Sequence, residues 1–388
     1  MVRFALNLLT TFLFILLFLP LKAQDSCTIE VSLLTCSPGE ELYSTFGHSA
    51  FRVKDHSMGS DIIFNYGTFD FDDPGFYKKF VRGKLLYFVS VQDFYGFKED
   101  YRMEGRGIIE QKIELSCTDK QSLYRALRTN IKEENKYYKY DFLYDNCSTR
   151  LKDILKKAAG TQVEFHNILP TPLPTFRDMI HIYLDSGGKY WSKLGIDMLL
   201  GNRIDKIPSN EQAMFLPDFL MKGFDSAFID GKAIVTDKQV ILNRRIEIDS
   251  SFNLLRPIVI TSLLLLVVWM IQFSKRKWAP GFLRVFDRVF FFLLGALGCL
   301  MLFMWFGTDH IGCSNNFNLL WAIPFHLPIA FLLNSKKEWV RKYFLVGAGW
   351  YFILFFIWSL LPQGMNSAFV PLVILAFMRS IVRYKKTS

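Results

Sequence analysis

The first 255 residues of this chain lack an excess of positive charge, although the formal net charge of the whole sequence is +10. Only 3 of the 36 acidic residues follow residue 255, whereas 14 of the 46 basic residues do. The N-terminal part is therefore almost neutral, with 32 basic and 33 acidic residues. Proteins that bind nucleic acid usually present a strongly basic patch. No such patch is evident in this sequence, so we expect no nucleic-acid partner.

Metal-binding patterns are also missing. The sequence has six histidines and six cysteines, and no pair among them has the local spacing of zinc ligands. We therefore expect neither a metal nor another cofactor. Internal repeats and low-complexity tracts are not evident either.

Long apolar runs are concentrated in the last third of the chain. Four segments of 17 to 20 residues are almost entirely apolar: 254–273, 289–307, 317–333 and 343–361. A helix needs about 20 such residues to cross a bilayer, so we expect four transmembrane helices. A fifth segment, 368–382, is shorter and contains Arg379. It can span the membrane only if that side chain snorkels to the interface.

Positive charge is distributed unevenly between the loops of this apolar region. Thirteen Lys and Arg residues lie in the loop after the first span, in the next alternate loop and in the C-terminal tail, whereas segments 308–316 and 362–367 contain none. Lys and Arg collect on the cytoplasmic side of membrane proteins. The pattern predicts a multi-pass membrane protein with its N-terminal domain outside the cytoplasm and its C-terminus in the cytoplasm.

The N-terminus has the features of an export signal. Arg3 precedes an apolar run from Phe4 to Leu21, and Ala23 is a small residue at a suitable position for cleavage. An uncleaved anchor is the alternative, and it would leave the topology unchanged. The chain then divides into a signal peptide, a periplasmic domain and a multi-pass membrane domain: residues 1–23, 24–253 and 254–388.

The periplasmic part shows strand signals first and helix signals later. The runs STFGHSAFRV, DIIFNYGTF and KLLYFVSVQ are rich in β-branched and aromatic residues and are separated by turn-forming clusters. A fourth run, RGIIEQKIEL, alternates apolar and polar residues, which predicts a half-buried strand. Helices are predicted from Thr118 or Asp119 and from Cys147 onward. Two amphipathic pieces, 175–186 and 211–228, either belong to the core or rest on the membrane surface.

Cys147 lies at the start of a helical pattern. Apolar residues recur after it at intervals of three and four, the spacing of one buried helix face: Leu151, Ile154, Leu155 and Ala158. The first turn of a helix offers unpaired N–H groups and the positive end of the helix dipole, which lower the pKa of a cysteine and favour a nucleophile. Because exported cysteines are usually paired, the alternative is that Cys147 is half of a disulfide. A pair such as Cys27–Cys36 would leave an odd thiol.

A cysteine nucleophile needs a base, normally histidine, and a third polar group that orients the base. His48 lies within a predicted strand between the small residues Gly47 and Ser49, which leave room for another backbone or a substrate. Asn65 interrupts the apolar run of the next strand and is the candidate for the third group, with Asp70 as a weaker one. A purely structural histidine is the alternative interpretation of His48.

The order of these elements resembles that of circularly permuted papain-like folds of the NlpC type. Lecithin:retinol acyltransferase and its relatives have an Asn–Cys pair similar to Asn146–Cys147, and they form a thioester on that cysteine. A closer resemblance, over roughly residues 36–225, is to the periplasmic domain of bacterial lipoprotein N-acyltransferases of the Lnb type. The segments that carry it are FGHSAFRVKD, FNYGTFDF, FVRGKL, YYKYDFLYDNCSTRLKDIL, LGIDMLLGNRID and FLPDFL.

The resemblance implies an α+β, permuted papain-like periplasmic domain, followed by an all-α transmembrane bundle of four to five helices. It implies transfer of a fatty acyl chain to the N-terminal amine of diacylated lipoproteins, with the chain coming from a membrane phospholipid or from the lipoprotein's own diacylglyceryl group. Cys147 would be the nucleophile and His48 its base, whereas the orienting role of Asn65 rests on strand order. Three further residues are candidates for contacts with substrate: Asn146, Tyr66 and Asp70.

Two other functions stay open at this point. A cell-wall peptidase or amidase of NlpC type would use the same Cys–His pair with water as the acceptor, but it gains little from a multi-pass membrane domain. A non-enzymatic membrane sensor or assembly factor would keep Cys147 buried or disulfide-bonded. Polar residues after the second span either line a lipid-accessible groove or form a solvated loop, and we expect the solvated loop: Asp309, His310, Asn315, Asn316 and Asn318.

Overall fold

A computed structural model of the protein describes residues 27–159, 163–245 and 254–386. The predicted signal peptide at residues 1–23 lies outside these residues.

An antiparallel sheet is the centre of the N-terminal domain. The strands described are β1 (Ile29–Cys36), β2 (His48–Asp55), β3 (Ser60–Thr68), β4 (Leu86–Asp93), β5 (Ile108–Ile113), β6 (Tyr137–Lys139), β7 (Glu164–Phe165), β8 (Ala227–Ile229), β9 (Lys232–Ala233) and β10 (Val235–Leu242). Seven of them form one sheet in the order β10-β5-β1-β2-β3-β4-β6, and the other three form a small second sheet. All four strands predicted from the sequence are present, as β2 to β5.

Helices of the N-terminal domain lie between and after these strands. They are α1 (Phe76–Val81), α2 (Phe94–Met103), α3 (Cys117–Asn130), α4 (Cys147–Ala158), α5 (Phe176–Ser186), α6 (Tyr190–Leu199), α7 (Asn210–Ala213) and α8 (Pro217–Asp225). Helix α3 begins slightly before the predicted start because Ser116 is its cap, with Ser116 Oγ accepting the N–H of Asp119 at 3.1 Å. Helix α4 begins at Cys147, as predicted.

Helices α3 and α4 pack on one face of the sheet. Leu123 and Leu127 of α3, together with Leu151 and Leu155 of α4, are completely buried and belong to the same cluster as Phe51 of β2. Each such leucine contributes about 1.5–3 kcal/mol relative to an exposed one. This packing holds the first turn of α4, and hence Cys147, against the central strands.

The two amphipathic pieces at 175–186 and 211–228 are core elements and do not rest on the membrane. In α5, Phe176, Met179 and Ile180 are buried. In α8, Phe219 and Phe224 are buried in the interior of the N-terminal domain. The alternative that these pieces form a membrane-binding surface is therefore wrong.

The C-terminal region is helical. Its helices are α9 (Pro257–Gln272), α10 (Ala279–Phe306), α11 (His326–Ile329), α12 (Glu338–Ile357) and α13 (Val370–Lys386). Among the described residues, three stretches are long and apolar enough to cross a membrane, namely those containing α10, α12 and α13, while α9 is apolar but shorter. The predicted fifth segment is thus one of the long helices, and α10 begins ten residues before its predicted start at 289.

Residues 317–333 do not form the continuous helix predicted from the sequence. This segment contains only a short 3₁₀ helix at Phe317–Leu320 and the four residues of α11, because Pro324 and Pro328 interrupt it. Its irregular backbone packs directly on α10, where a Cβ atom at Gly298 would lie 2.1 Å from the carbonyl oxygen of Ala322. Non-helical backbone at membrane depth is tolerated when it is buried within protein.

Arg379 does not snorkel to the interface. Its side chain is buried, and it donates to both carboxylate oxygens of Asp287 at 2.5 and 2.9 Å. Gln272 and Arg383 complete this cluster. The arginine is accommodated because Asp287 supplies the opposite charge inside the helical region, and the cluster joins α9, α10 and α13.

The loop after α10 is only partly solvated, because it packs against the N-terminal domain. Asn316 and Asn318 are buried, and Asn318 Nδ2 donates to the carbonyl oxygen of Asp197 at 2.8 Å. Asp309 accepts a hydrogen bond from Lys139 at 2.7 Å. The N-terminal domain therefore rests on the outer loops of the helical region through specific polar contacts.

Candidate active site

A double hydrogen bond fixes the start of α4. Asn146 Oδ1 accepts the N–H of Thr149 at 2.9 Å, and Thr149 Oγ1 accepts the N–H of Asn146 at 2.8 Å. Asn146 Nδ2 also donates to the carbonyl oxygens of Phe142 and Phe215 at 2.7 and 2.8 Å. Cys147 is consequently held as the first residue of the helix, where N–H groups are unpaired.

His48 and Asn65 face each other from neighbouring strands. His48 Nε2 lies 2.5 Å from Asn65 Oδ1. An amide oxygen can only accept, so Nε2 carries the proton and Nδ1 is the basic nitrogen. Gly47, just before His48, has φ of +78° and would place a Cβ atom 2.7 Å from the carbonyl oxygen of Cys36. Glycine is required at this position for the strand to begin at His48.

Cys147 and His48 form an electrostatically coupled pair. Burial alone would raise the pKa of the Cys147 thiol, but the charge and hydrogen bond of His48, with the N–H of Ser49, outweigh it and lower this pKa. Burial would likewise lower the pKa of His48, but interactions with Cys147 and Asn65 raise it. The two opposite shifts favour a thiolate next to an imidazolium, which is the reactive form of a cysteine nucleophile.

The disulfide alternative for Cys147 does not hold, because its thiol is free. Cys27 and Cys36 are not paired either. Cys27 precedes β1 by two residues and Cys36 is its last residue, so they lie much farther apart than the 4.4–6.8 Å that a disulfide allows between Cα atoms. Burial raises the pKa of Cys36 to about 12. Cys36 is therefore an inert neighbour of the pair, which makes it a useful control.

Two of the three predicted substrate contacts have buried side chains, and their role stays a prediction. Asn146 is 2% exposed and Tyr66 is 1% exposed. The amide of Asn146 is fully used in capping α4, and the Tyr66 hydroxyl accepts from Asn130 Nδ2 at 2.7 Å. Asp70 lies in the exposed turn after β3, where its carboxylate accepts the N–H of Asp72 at 2.9 Å. A role of Asp70 in substrate binding stays a prediction.

A cavity of about 350 Å³ lies between the N-terminal domain and the loop after α10. Most of its lining is apolar, including Leu143, Ile180, Leu200 and Ile204. Sequence analysis missed this cavity because its walls come from five separate stretches of the chain. The one signal was the run of residues 140 to 144 just before Cys147, which forms part of the wall.

Both parts of the chain match the same family. Residues 21–181 match the family model described as the Lnb N-terminal periplasmic domain. Residues 247–388 match the one described as the Lnb transmembrane domain. Comparison with curated proteins and with solved structures returned no match. The chain is a membrane protein of the Lnb family, with an extracytoplasmic N-terminal domain and a transmembrane C-terminal domain.

Proposed function

We propose that this protein is a cysteine-dependent acyltransferase that moves a fatty acyl chain, through a thioester on Cys147, to the N-terminal amine of lipoproteins. The observation that carries the proposal is the arrangement of Cys147, His48 and Asn65. A thiol at a helix N-terminus, an adjacent imidazole and an amide that orients the imidazole are the three parts of a cysteine nucleophile site. Membership of the Lnb family supports lipoproteins as the acceptors.

The first half-reaction forms the thioester. His48 Nδ1 takes the proton of the Cys147 thiol, and the thiolate attacks the ester carbonyl carbon of the donor lipid. The carbon–sulfur bond forms as the ester carbon–oxygen bond breaks, and the deacylated lipid leaves with the proton from His48. Asn65 keeps the ring oriented throughout, because its oxygen holds Nε2–H.

The second half-reaction transfers the chain. The α-amino group of the diacylated lipoprotein cysteine attacks the thioester carbon, and His48 removes a proton from that nitrogen. The amide bond forms as the carbon–sulfur bond breaks, which restores the Cys147 thiolate and the imidazolium. In both steps the N–H of Cys147 is suited to stabilise the oxyanion, a contribution of about 3 kcal/mol per donor.

A permuted papain-like fold accounts for the order of these residues. The base on β2 and the orienting amide on β3 precede the nucleophile at the start of α4. Papain-like enzymes have the cysteine helix first and the histidine strand later, so the order here is the reverse. The packing of α4 on β2 supports this assignment.

A lipid substrate suits the position of the site better than a cell-wall peptide does. The N-terminal domain rests on the outer loops of the membrane domain, so a thiolate in this domain is held next to a bilayer surface. Holding reactants together in this way supplies a large effective concentration. The adjoining cavity is mainly apolar, whereas a glycan-peptide requires a polar cleft. The free Cys147 thiol argues against a sensor that keeps this sulfur paired.

The charge pattern supports the bacterial inner membrane as the location, with the C-terminus in the cytoplasm. One set of loops, together with the C-terminal tail, contains thirteen basic residues, and the other set contains none. This difference is a strong positive-inside signal. This orientation puts Cys147 in the periplasm, where the ester of the outer-leaflet phospholipid and the amine of the lipoprotein are both accessible.

Mass spectrometry of lipoprotein N-termini tests the proposed function. A deletion strain is complemented with the wild type, with Cys147→Ala and, as a matched thiol control, with Cys36→Ala. We expect N-acylated lipoproteins with the wild type and the control, and free N-terminal amines with Cys147→Ala. Unchanged lipoproteins accompanied by altered cell-wall peptides would favour the hydrolase instead. Restoration by Cys147→Ala would favour a non-catalytic role.

A further inference from the structure

We propose that the 350 Å³ cavity between the N-terminal domain and the loop after α10 binds one acyl chain of the donor phospholipid, with the donor's phosphate at Arg203 and Lys206. This proposal rests on the acyltransferase function and goes further, because it names the donor and the place where it binds. The cavity is referred to below as the acyl cavity.

The lining of the acyl cavity suits a hydrocarbon chain. Leu143, Ile180 and Ile204 are buried side chains that contribute to its walls, and Ile311 of the outer loop closes one side. Ligand sites of this size are typically apolar with a few polar groups that set the orientation of the ligand. An apolar cavity that opens at a membrane surface is accessible to a lipid without passage through water.

The acyl cavity adjoins the reactive thiol. Tyr87 and Tyr140 line it and stack on each other with ring centroids 4.2 Å apart. Tyr140 and Cys147 both pack against the same hydrophobic core, and Cys147 follows Tyr144, another lining residue, by only three positions. Three residues of chain span at most about 11 Å, so the cavity and the nucleophile are near each other. A chain in the cavity would place its ester at this end.

Unbalanced positive charge marks the rim of the acyl cavity. Asp205, which lies between Arg203 and Lys206 in sequence, is paired with Arg177 at 2.8 and 3.0 Å. Asp309 is paired with Lys139 at 2.7 Å.

In the part of the chain that the structure describes, no carboxylate forms a salt bridge with Arg203 or Lys206, and both side chains are exposed. Asp141 also lines the cavity, where its Oδ1 accepts the N–H groups of Leu143 and Tyr144 at 2.8 and 2.9 Å, so the two cations leave a net positive charge there. A net positive charge at the rim of an apolar cavity complements a phosphate joined to acyl chains. A phospholipid has that phosphate, whereas the diacylglyceryl group of a lipoprotein is attached through a thioether and has none. The charges therefore favour the phospholipid as the donor.

A larger side chain at Gly312 would block the acyl cavity without displacing the residues around it. A Cβ atom there would lie 3.4 Å from Leu200 and 3.6 Å from Ile204, which are ordinary contact distances. A leucine at this position would extend from the outer loop into the space between the two domains. Gly195 of α6 is a matched control, because a Cβ atom there meets nothing within 4 Å.

Photo-cross-linking in vesicles tests the proposal without any need for catalysis. The full chain with Cys147→Ala is reconstituted with phosphatidylethanolamine and phosphatidylglycerol that carry a diazirine at the end of one acyl chain. We expect cross-links to residues 140–144, 200–206 and 309–312, and about a tenfold loss with Gly312→Leu, equivalent to ~1.4 kcal/mol of binding. Gly195→Leu should cross-link like its parent. Cross-links confined to the lipid-facing sides of α9, α10, α12 and α13, or equal yields for the two glycine variants, would overturn the proposal.

A second cross-linking experiment tests whether the positive charges bind the phosphate. The double variant Arg203→Glu, Lys206→Glu should reduce cross-linking of the phospholipid probes several-fold but leave that of a diacylglycerol diazirine probe unchanged. Equal effects on both probes would overturn the assignment of the phosphate. Lys98→Glu, at a partly exposed position of α2, is the control for a general change in charge. Since no probe is turned over, a failed acyltransferase assay and a failed binding assay are distinct results.

Discussion

His48 Nε2 lies 2.5 Å from Asn65 Oδ1, across the neighbouring strands β2 and β3. The hydrogen bond fixes which ring nitrogen is protonated, so the other nitrogen is available to the Cys147 thiol. Because both residues are on rigid strands of a central sheet, the orientation of the imidazole is set before any substrate arrives.

The hydrogen bond between these two residues predicts the effect of Asn65→Ala. Without the amide oxygen the imidazole can rotate and change tautomer, and we expect the rate of thioester formation to fall by about 10²-fold, the cost of a misplacement near 1 Å. Single-turnover acylation of the purified full chain measures this rate. Asn130→Ala removes a comparable amide, the one that donates to Tyr66, and should leave the rate nearly unchanged. Equal rates for Asn65→Ala and the wild type would contradict an orienting role.

The opposite pKa shifts of Cys147 and His48 predict how the thiol reacts with pH. The rate of alkylation by iodoacetamide follows the fraction of thiolate. In the wild type this rate should therefore rise with pH and have its midpoint below pH 9.0, the ordinary pKa of a thiol. In His48→Ala the imidazolium is lost, and burial is opposed only by the hydrogen bonds of Ser49 and Ser148, so the midpoint should move to a higher pH. Mass spectrometry of the peptide containing Cys147 quantifies the reaction. A midpoint that His48→Ala leaves in place would show that the two side chains are not coupled.

Asp287 predicts a large effect on the stability of the membrane domain. Its carboxylate balances Arg379 and Arg383 at a buried position, so Asp287→Ala would leave two cations without a partner there. Removing one partner of a buried ion pair typically costs about 3–5 kcal/mol. Thermal unfolding in detergent micelles should therefore occur at a clearly lower temperature.

Glu338→Ala is the control for this experiment. Glu338 forms an exposed pair with Lys342 at 2.9 Å, so its loss should change the unfolding temperature little. If the two variants unfolded at the same temperature, the buried cluster would not be an anchor of α9, α10 and α13.

The charge asymmetry of the loops predicts the topology. A single cysteine introduced at Met58, which is 69% exposed in the N-terminal domain, should react with an impermeant maleimide in intact spheroplasts. A cysteine at Lys385 should react only after the inner membrane is opened, because the proposed orientation places the basic tail in the cytoplasm. Labelling of Lys385→Cys in intact spheroplasts would contradict the proposed orientation.

Local patterns predicted the parts of the site that depend on nearby sequence. The start of α4 at Cys147 was predicted from apolar spacing alone, and the structure adds the cap at Asn146. Both are properties of a few consecutive residues. Strand β1 was not singled out, because seven of its eight residues are buried and it shows no alternation. The acyl cavity could not be predicted, since its walls come from distant segments.

The membrane domain also has features that sequence patterns alone could not predict. Hydropathy identified 317–333 as apolar, but hydropathy does not distinguish a helix from an irregular segment that is buried among helices. The close packing of Gly298 on Ala322 decides between them, and this contact depends on tertiary structure. Arg379 was likewise assigned to the interface because its partner Asp287 is 92 residues away in sequence.

The central claim is that Cys147 carries an acyl chain, and mass spectrometry of the resting acyl-enzyme tests it most directly. The purified full chain is incubated with phospholipid vesicles in the absence of a lipoprotein acceptor, and the peptide containing Cys147 is analysed. The account predicts a mass increase of one fatty acyl group on Cys147 that hydroxylamine removes, and no increase in His48→Ala. An unmodified Cys147 in a preparation that still acylates lipoproteins would contradict the account.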